Sequence, residues 1–191
     1  MVRTLRWTVS CAAAATVFSA SSAAADLGNL QGILGGMQAG SWAQVNLNAF
    51  DSVYPDLADR PLAGTSYANP DKVIGAWSSF AWDSRRGDLI LFGGGHGNYA
   101  GNEVYRWHGG TQRWELSSLP SNVTGYAVSG GTLYVPVDGA QHAPTSSHTY
   151  DNNDYLAGAD RFVTLGGAAF NTGGSQMIQD PNGSFRPTGP Y

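Results

Sequence analysis

Between residues 77 and 116 the spacing of apolar and polar positions predicts four short strands. Trp77-Ser78-Ser79-Phe80-Ala81-Trp82-Asp83 alternates large and small residues, the period of a strand with one buried face. Ser84-Arg85-Arg86-Gly87 is a turn. Asp88-Leu89-Ile90-Leu91-Phe92 is almost continuously apolar, as expected of a strand covered on both faces. It ends in Gly93-Gly94-Gly95, where backbone must turn sharply or pass close to a neighbour. Val104 to Trp107 and Arg113 to Leu116 supply a third and fourth strand, joined by His108-Gly109-Gly110-Thr111.

The pattern recurs. Arg161-Phe162-Val163-Thr164-Leu165-Gly166-Gly167 aligns with Asp88 to Gly94. Ser147-His148-Thr149-Tyr150-Asp151 is aligned with Ser79 to Asp83, which makes Asn152 to Asp160 a longer turn in the second copy. After Gly174 the pattern thins, and no third and fourth strands of the second copy are evident. An apolar run ending in Gly93-Gly94, a polar loop, a run carrying Tyr105 and then Trp114 nine residues on resembles a kelch repeat. The resemblance implies an all-β fold: a fragment of a kelch-type β-propeller with four-stranded antiparallel blades in an incomplete ring. It divides the chain into an N-terminal extension (26–70) and propeller blades (71–191). The blades comprise a first blade (73–119), an insertion (120–143) and an incomplete second blade (144–191). In the insertion Gly130 to Val135 suits a strand, and in the extension Trp42 to Asn48 suits an edge strand that could close the ring. Leu27 to Met37 suits a short helix or a flexible segment. The structural signature of the repeat falls on Gly93, Gly94, Tyr105, Trp114, Gly166 and Gly167.

Composition places this fold outside the cell. Residues 1–25 read as a signal peptide, with Arg3 and Arg6 ahead of an apolar stretch and Ala23-Ala24-Ala25 as an A-x-A-type cleavage site. Export to a secreted or periplasmic location follows. Cys11, the single cysteine, lies inside that leader, so the mature chain expects no disulfide. Without Arg3 and Arg6 the chain carries 8 basic and 14 acidic residues, a net charge of −6. That excess of acid argues against nucleic acid, which needs clustered cations. The apolar stretch of the leader is too short to insert stably in a bilayer. Asn122-Val123-Thr124 and Asn182-Gly183-Ser184 fit the glycosylation acceptor pattern.

Strands alternate direction in a blade, so the loop after strand two and the connection leaving strand four open on one face. The candidate ligand-binding residues are His96, Asn98 and Tyr99 in that loop, His142 in the insertion, and His148 near the start of an innermost strand. Aromatic faces and imidazoles suit a carbohydrate or a protein ligand. The other expected partners are further blades, from the same protein or from other copies. The resemblance also brings in galactose oxidase-like propellers, which hold copper through two histidines and two tyrosines, one cross-linked to a cysteine. A mature chain without cysteine cannot build that centre, so no cofactor is expected unless residues beyond this chain supply the ligands. A propeller enzyme, such as a carbohydrate oxidase or a sugar mutarotase with its catalytic residues elsewhere, is the competing expectation.

Overall fold

The computed structural model describes residues 27–138 and 143–191; the expected leader, with Cys11, and His142 lie outside them. The chain is all-β in class, with small antiparallel sheets and short helical turns. The largest sheet is a four-stranded meander of β1 (Ser79–Asp83), β2 (Asp88–Phe92), β3 (Tyr105–His108) and β4 (Arg113–Leu116), hydrogen-bonded in that order. Its register sorts the side chains by chemistry. One face carries the rows Phe80–Leu91–Tyr105–Leu116 and Trp82–Leu89–Trp107–Trp114. The other carries Ala81–Ile90–Arg106–Glu115 and Asp83–Asp88–His108–Arg113. The signature residues Tyr105 and Trp114 therefore belong to the apolar face.

The second hairpin repeats the first two strands at a constant offset of 73 residues. β8 (Asn153–Leu156) pairs with β9 (Arg161–Thr164) so that Leu156 faces Arg161, as Asp83 faces Asp88. Backbone torsions repeat with it. Trp77 and Tyr150 have φ of 52° and 53°, Gly87 and Asp160 73° and 53°, and Gly94 and Gly167 138° and 131°. This corrects the expected alignment of Ser147–Asp151 with β1. The counterpart of Ser79–Asp83 is 152–156, and the turn is the four residues 157–160, not an extended Asn152–Asp160 loop. The aromatic–Asp pair Tyr150-Asp151 misled the alignment, because Tyr155 is the true equivalent of Trp82.

The hairpins stack face to face. Tyr155 and Phe162, the equivalents of Trp82 and Leu89, pack on Ala81 and Ile90 with Val104 alongside. At the turns the Arg86 guanidinium donates to both Asp160 oxygens at 2.7 and 2.9 Å, to Asp83 Oδ2 at 2.8 Å and to the Tyr155 hydroxyl at 3.2 Å. Such planar, forked pairing fixes orientation as well as distance.

A polar strap, Thr145-Ser146-Ser147-His148-Thr149, runs fully buried between the two glycine turns. Ser147 and His148 form β7 and pair with β10 (Ala168–Ala169). On the other side Gly95 N–H donates to the Ser147 carbonyl at 3.1 Å. The strap's side chains reach back to the first sheet: Ser79 N–H donates to Thr149 Oγ1 at 2.9 Å and Ser146 Oγ donates to the Gly93 carbonyl at 3.3 Å. The glycines are the clearance for this passage. A Cβ on Gly94 would lie 2.4 Å from Ser146 Oγ, and one on Gly167 only 2.0 Å from the His148 carbonyl oxygen.

The N-terminal part covers the apolar sheet face. Helix α1 (Gly28–Gly36) leads to an extended segment in which Leu47 N–H donates to the Gln112 carbonyl at 2.7 Å. The Asn48 side chain bonds Trp114 N–H and carbonyl at 2.8 and 3.0 Å. Trp42 to Asn48 is therefore not the strand its alternation predicts. The Asn48 side chain takes the place of a backbone ladder at Trp114 of β4, and Trp42 is 98% exposed. Phe50, Val53 and Tyr54 then pack, with helix α2 (Lys72–Gly75) contributing Val73, onto Leu91, Tyr99 and Tyr105. The insertion is a hairpin, β5 (Val123–Val128) with β6 (Gly131–Pro136), rather than one strand. The C-terminal part also forms a hairpin that the sequence did not reveal, β11 (Met177–Gln179) with β12 (Phe185–Pro187). The two share a core of Leu133, Val135 and Ile178 beside an apolar cleft of about 280 Å³.

Gly167→Ala is expected to cost about 3 kcal/mol, from a backbone collision added to left-handed strain. Gly97→Ala, whose Cβ would meet nothing within 4 Å, should be near neutral. Urea unfolding of the two variants checks the contrast.

Candidate ligand-binding surface

The loop after β2 and the strap bring two expected residues together. His96 is exposed and His148 is buried beneath it, their rings in edge-to-face contact with centroids 4.5 Å apart. Asn98 Oδ1 lies 3.3 Å from His148 Nε2, which assigns the proton to that nitrogen and makes it the donor. The His96 carbonyl accepts from Asn171 N–H at 2.5 Å, and Gly173 leaves room beside its ring. His96 thus stands on a loop held by both hairpin units.

Two aromatic residues that sequence reasoning did not assign to the site complete the surface. Trp77 and Tyr150 flank His148, with ring centroids 4.8 and 5.8 Å from the imidazole. They are 66% and 53% exposed. Both sit in the left-handed region, and Tyr150 N–H donates to the Trp77 carbonyl at 2.8 Å. A bulky residue with positive φ is strained, and such strain persists where surrounding structure imposes it. The signal was available in principle, since Tyr150 follows Trp77 by the same 73 residues that separate the two double glycines. Reading it required the correct 73-residue offset.

Tyr99 does not join this surface, contrary to expectation. Its ring is wholly buried against Val73, Leu91 and Tyr105, because Tyr99 N–H bonds the Gly94 carbonyl and folds the loop inward. There it belongs to a buried acid–phenol cluster. The Tyr105 hydroxyl donates to Glu103 Oε1 at 2.7 Å, and Tyr99 Oη and Glu103 Oε2 both crowd Gly101. Burial pushes the Glu103 carboxyl up despite the Tyr105 hydrogen bond, and burial with the Glu103 charge pushes both phenols above their ordinary range. All three groups are sealed from solvent, so their role is in the core. Just after the loop, Asn102 ties the chain on either side of the insertion hairpin together. Its side chain donates to the Pro144 carbonyl at 2.8 Å and accepts from Ser121 N–H at 2.7 Å.

The acidic cluster at the hairpin turns is the other concentration of charge. Burial would raise the Asp83 carboxyl, but the Arg86 side chain and the Arg85 and Arg86 N–H groups hold it below the usual carboxylate range. The Arg86 and Tyr155 donors do the same for Asp160. Arg106 and His108 reach Asp88 Oδ2 at 3.2 and 3.0 Å. Asp83 and Asp88 are engaged by cations of their own unit, and the Arg86 bonds to Asp160 and Tyr155 fasten one unit to the next.

Among the described residues no group of three or more histidine, cysteine or acidic side chains is placed to hold a metal ion. Of the described residues, Tyr99 and Tyr105 point into the core and His148 is engaged by Asn98, so these three do not fit the copper centre that the resemblance to galactose oxidase-like propellers implies. No described helix is long and apolar enough to cross a membrane. No family model matches the chain, and no curated protein or solved structure matches it either.

The His148 imidazole lies below its ordinary value of 6.5, first through burial and then through the nearby His96. A basic group depressed in the fold supports stability above its unfolded pKa and loses that support as pH falls below it. Melting temperature should therefore fall more steeply from pH 7 to pH 5 in the wild type than in His148→Gln. Taking the difference between the two proteins cancels Glu103, whose raised pKa acts in the opposite direction. Parallel profiles would contradict the depressed value.

Proposed function

We infer that the chain is part of a secreted or periplasmic kelch-type β-propeller that binds a carbohydrate through Trp77, Tyr150 and His96, arranged around the buried His148. What carries the reading is the exposure of two large aromatic rings in strained backbone on either side of a histidine pair. Folding does not gain from holding Trp77 and Tyr150 in water at positive φ. A flat ligand does: apolar sugar faces stack on aromatic rings while hydroxyls take hydrogen bonds from the exposed His96 imidazole. The repeat of the glycine turns and the stacking of successive hairpins support the propeller part of the reading, as does the meander order of the first sheet.

The test separates binding from folding. Trp77→Gly relieves the left-handed strain and removes the stacking ring. Its melting temperature should not fall. Its affinity in calorimetric titrations with neutral galactose- and glucose-based oligosaccharides should drop at least tenfold, about 1.4 kcal/mol. Tyr150→Gly should behave alike. Absence of sugar binding by the wild type, or binding that survives both substitutions, would overturn the reading.

A further inference from the structure

The contact between the two hairpin units is heterologous: the charged face of the first, through Ala81 and Ile90, receives Tyr155 and Phe162 of the second. Tyr155 and Phe162 are the 73-residue equivalents of Trp82 and Leu89. The second unit therefore docks with the same face that the first unit leaves open. On the first sheet that face is half covered. The N-terminal segment packs over its Phe80–Leu91–Tyr105–Leu116 row from the β3–β4 side, and stops short of β1. Phe80 and Trp82 remain 42% and 48% exposed beside an apolar cleft of about 190 Å³ lined by Val45, Asn46, Leu89, Trp107 and Trp114.

The complementary surface is also open. On β8 and β9 the residues equivalent to Ala81, Asp83, Asp88 and Ile90 are Asp154, Leu156, Arg161 and Val163, and they point away from the first sheet. Leu156 is 46% exposed, and Asp154 and Arg161 are exposed. This face offers a leucine and a valine for burial and a guanidinium that can lie over the Trp82 indole.

We propose that the open Phe80–Trp82 face of one chain receives the Leu156–Val163 face of a second copy, extending the intrachain unit-to-unit contact from molecule to molecule. One chain then presents two different surfaces, so association is head to tail. Such contacts close into a ring when the rotation allows and otherwise run on as a filament. The proposal rests on the repeated contact and is independent of any ligand.

Sedimentation of the full chain over a range of concentrations should show mass rising above the monomer. Trp82→Glu and Leu156→Glu change opposite faces, both exposed, and each should weaken self-association about tenfold or more. Mixing the two variants is the decisive arm. Each retains the surface the other lacks, so the mixture should form a one-to-one dimer that neither forms alone. Phe80→Ser serves as a second variant of the receiving face should Trp82→Glu lower the melting temperature. A wild type that stays monomeric at every concentration overturns the proposal. So does association abolished by Trp82→Glu yet untouched by Leu156→Glu, which would mean a symmetric contact between aromatic faces.

Discussion

The fold depends on a polar peptide passing through a tight gap. Thr145 to Thr149 carries two serines, two threonines and a histidine into the interior, where an unpaired polar group costs free energy. The strap is tolerated because its backbone and its side chains, all but the Ser147 hydroxyl, find hydrogen-bonding partners at close range, from Gly93, Gly95 and Ser79 to Ala168, Ala169 and Gln176. That approach requires backbone without side chains. The glycine turns after β2 and β9 are therefore less the ends of strands than the walls of a channel for the strap. Gly94 and Gly167, equivalent in the repeat, meet it from opposite sides.

The candidate surface is a consequence of the same passage. The strap delivers His148 to the point where the loop after β2 delivers His96 and Asn98. The residues that lead into the first strand of each unit, Trp77 and Tyr150, are hydrogen-bonded to each other across it. Two repeated units thus contribute equivalent aromatic residues to one place. Their rings are left facing solvent.

Away from this end, the sheet faces divide their labour by chemistry. The face that carries Asp83, Asp88, Arg106 and His108 takes the next unit through Arg86 and a small apolar centre, so buried acids there are matched by cations rather than excluded. Partly exposed ion pairs contribute little to stability singly. Here they set the orientation of two hairpins. The apolar face is wider than its own N-terminal cover, which leaves the β1 edge of it open.

Much of this was legible in the chain. Alternation and turn chemistry mark the four strands of the first sheet nearly to the residue, because each is a short apolar run bounded by glycine or charged turns. The double glycines mark a repeat, and His96, Asn98 and His148 were correctly placed near one another. The second hairpin's register was not legible, since two aromatic–acid patterns, at Tyr150 and Tyr155, compete and only pairing partners decide between them. Tyr99 looked like a surface residue because its neighbours are glycine and asparagine, and only the inward turn of its backbone put it in the core. Trp42 to Asn48 has the alternation of a strand, but pairing is a property of two segments, and β4 is met by the Asn48 side chain instead. What the sequence determined by itself is the set of local elements, whose causes lie within a few residues. What the tertiary structure decided is which elements meet, which aromatic rings stay in water and where the strap runs, because those depend on contacts between residues some 70 positions apart.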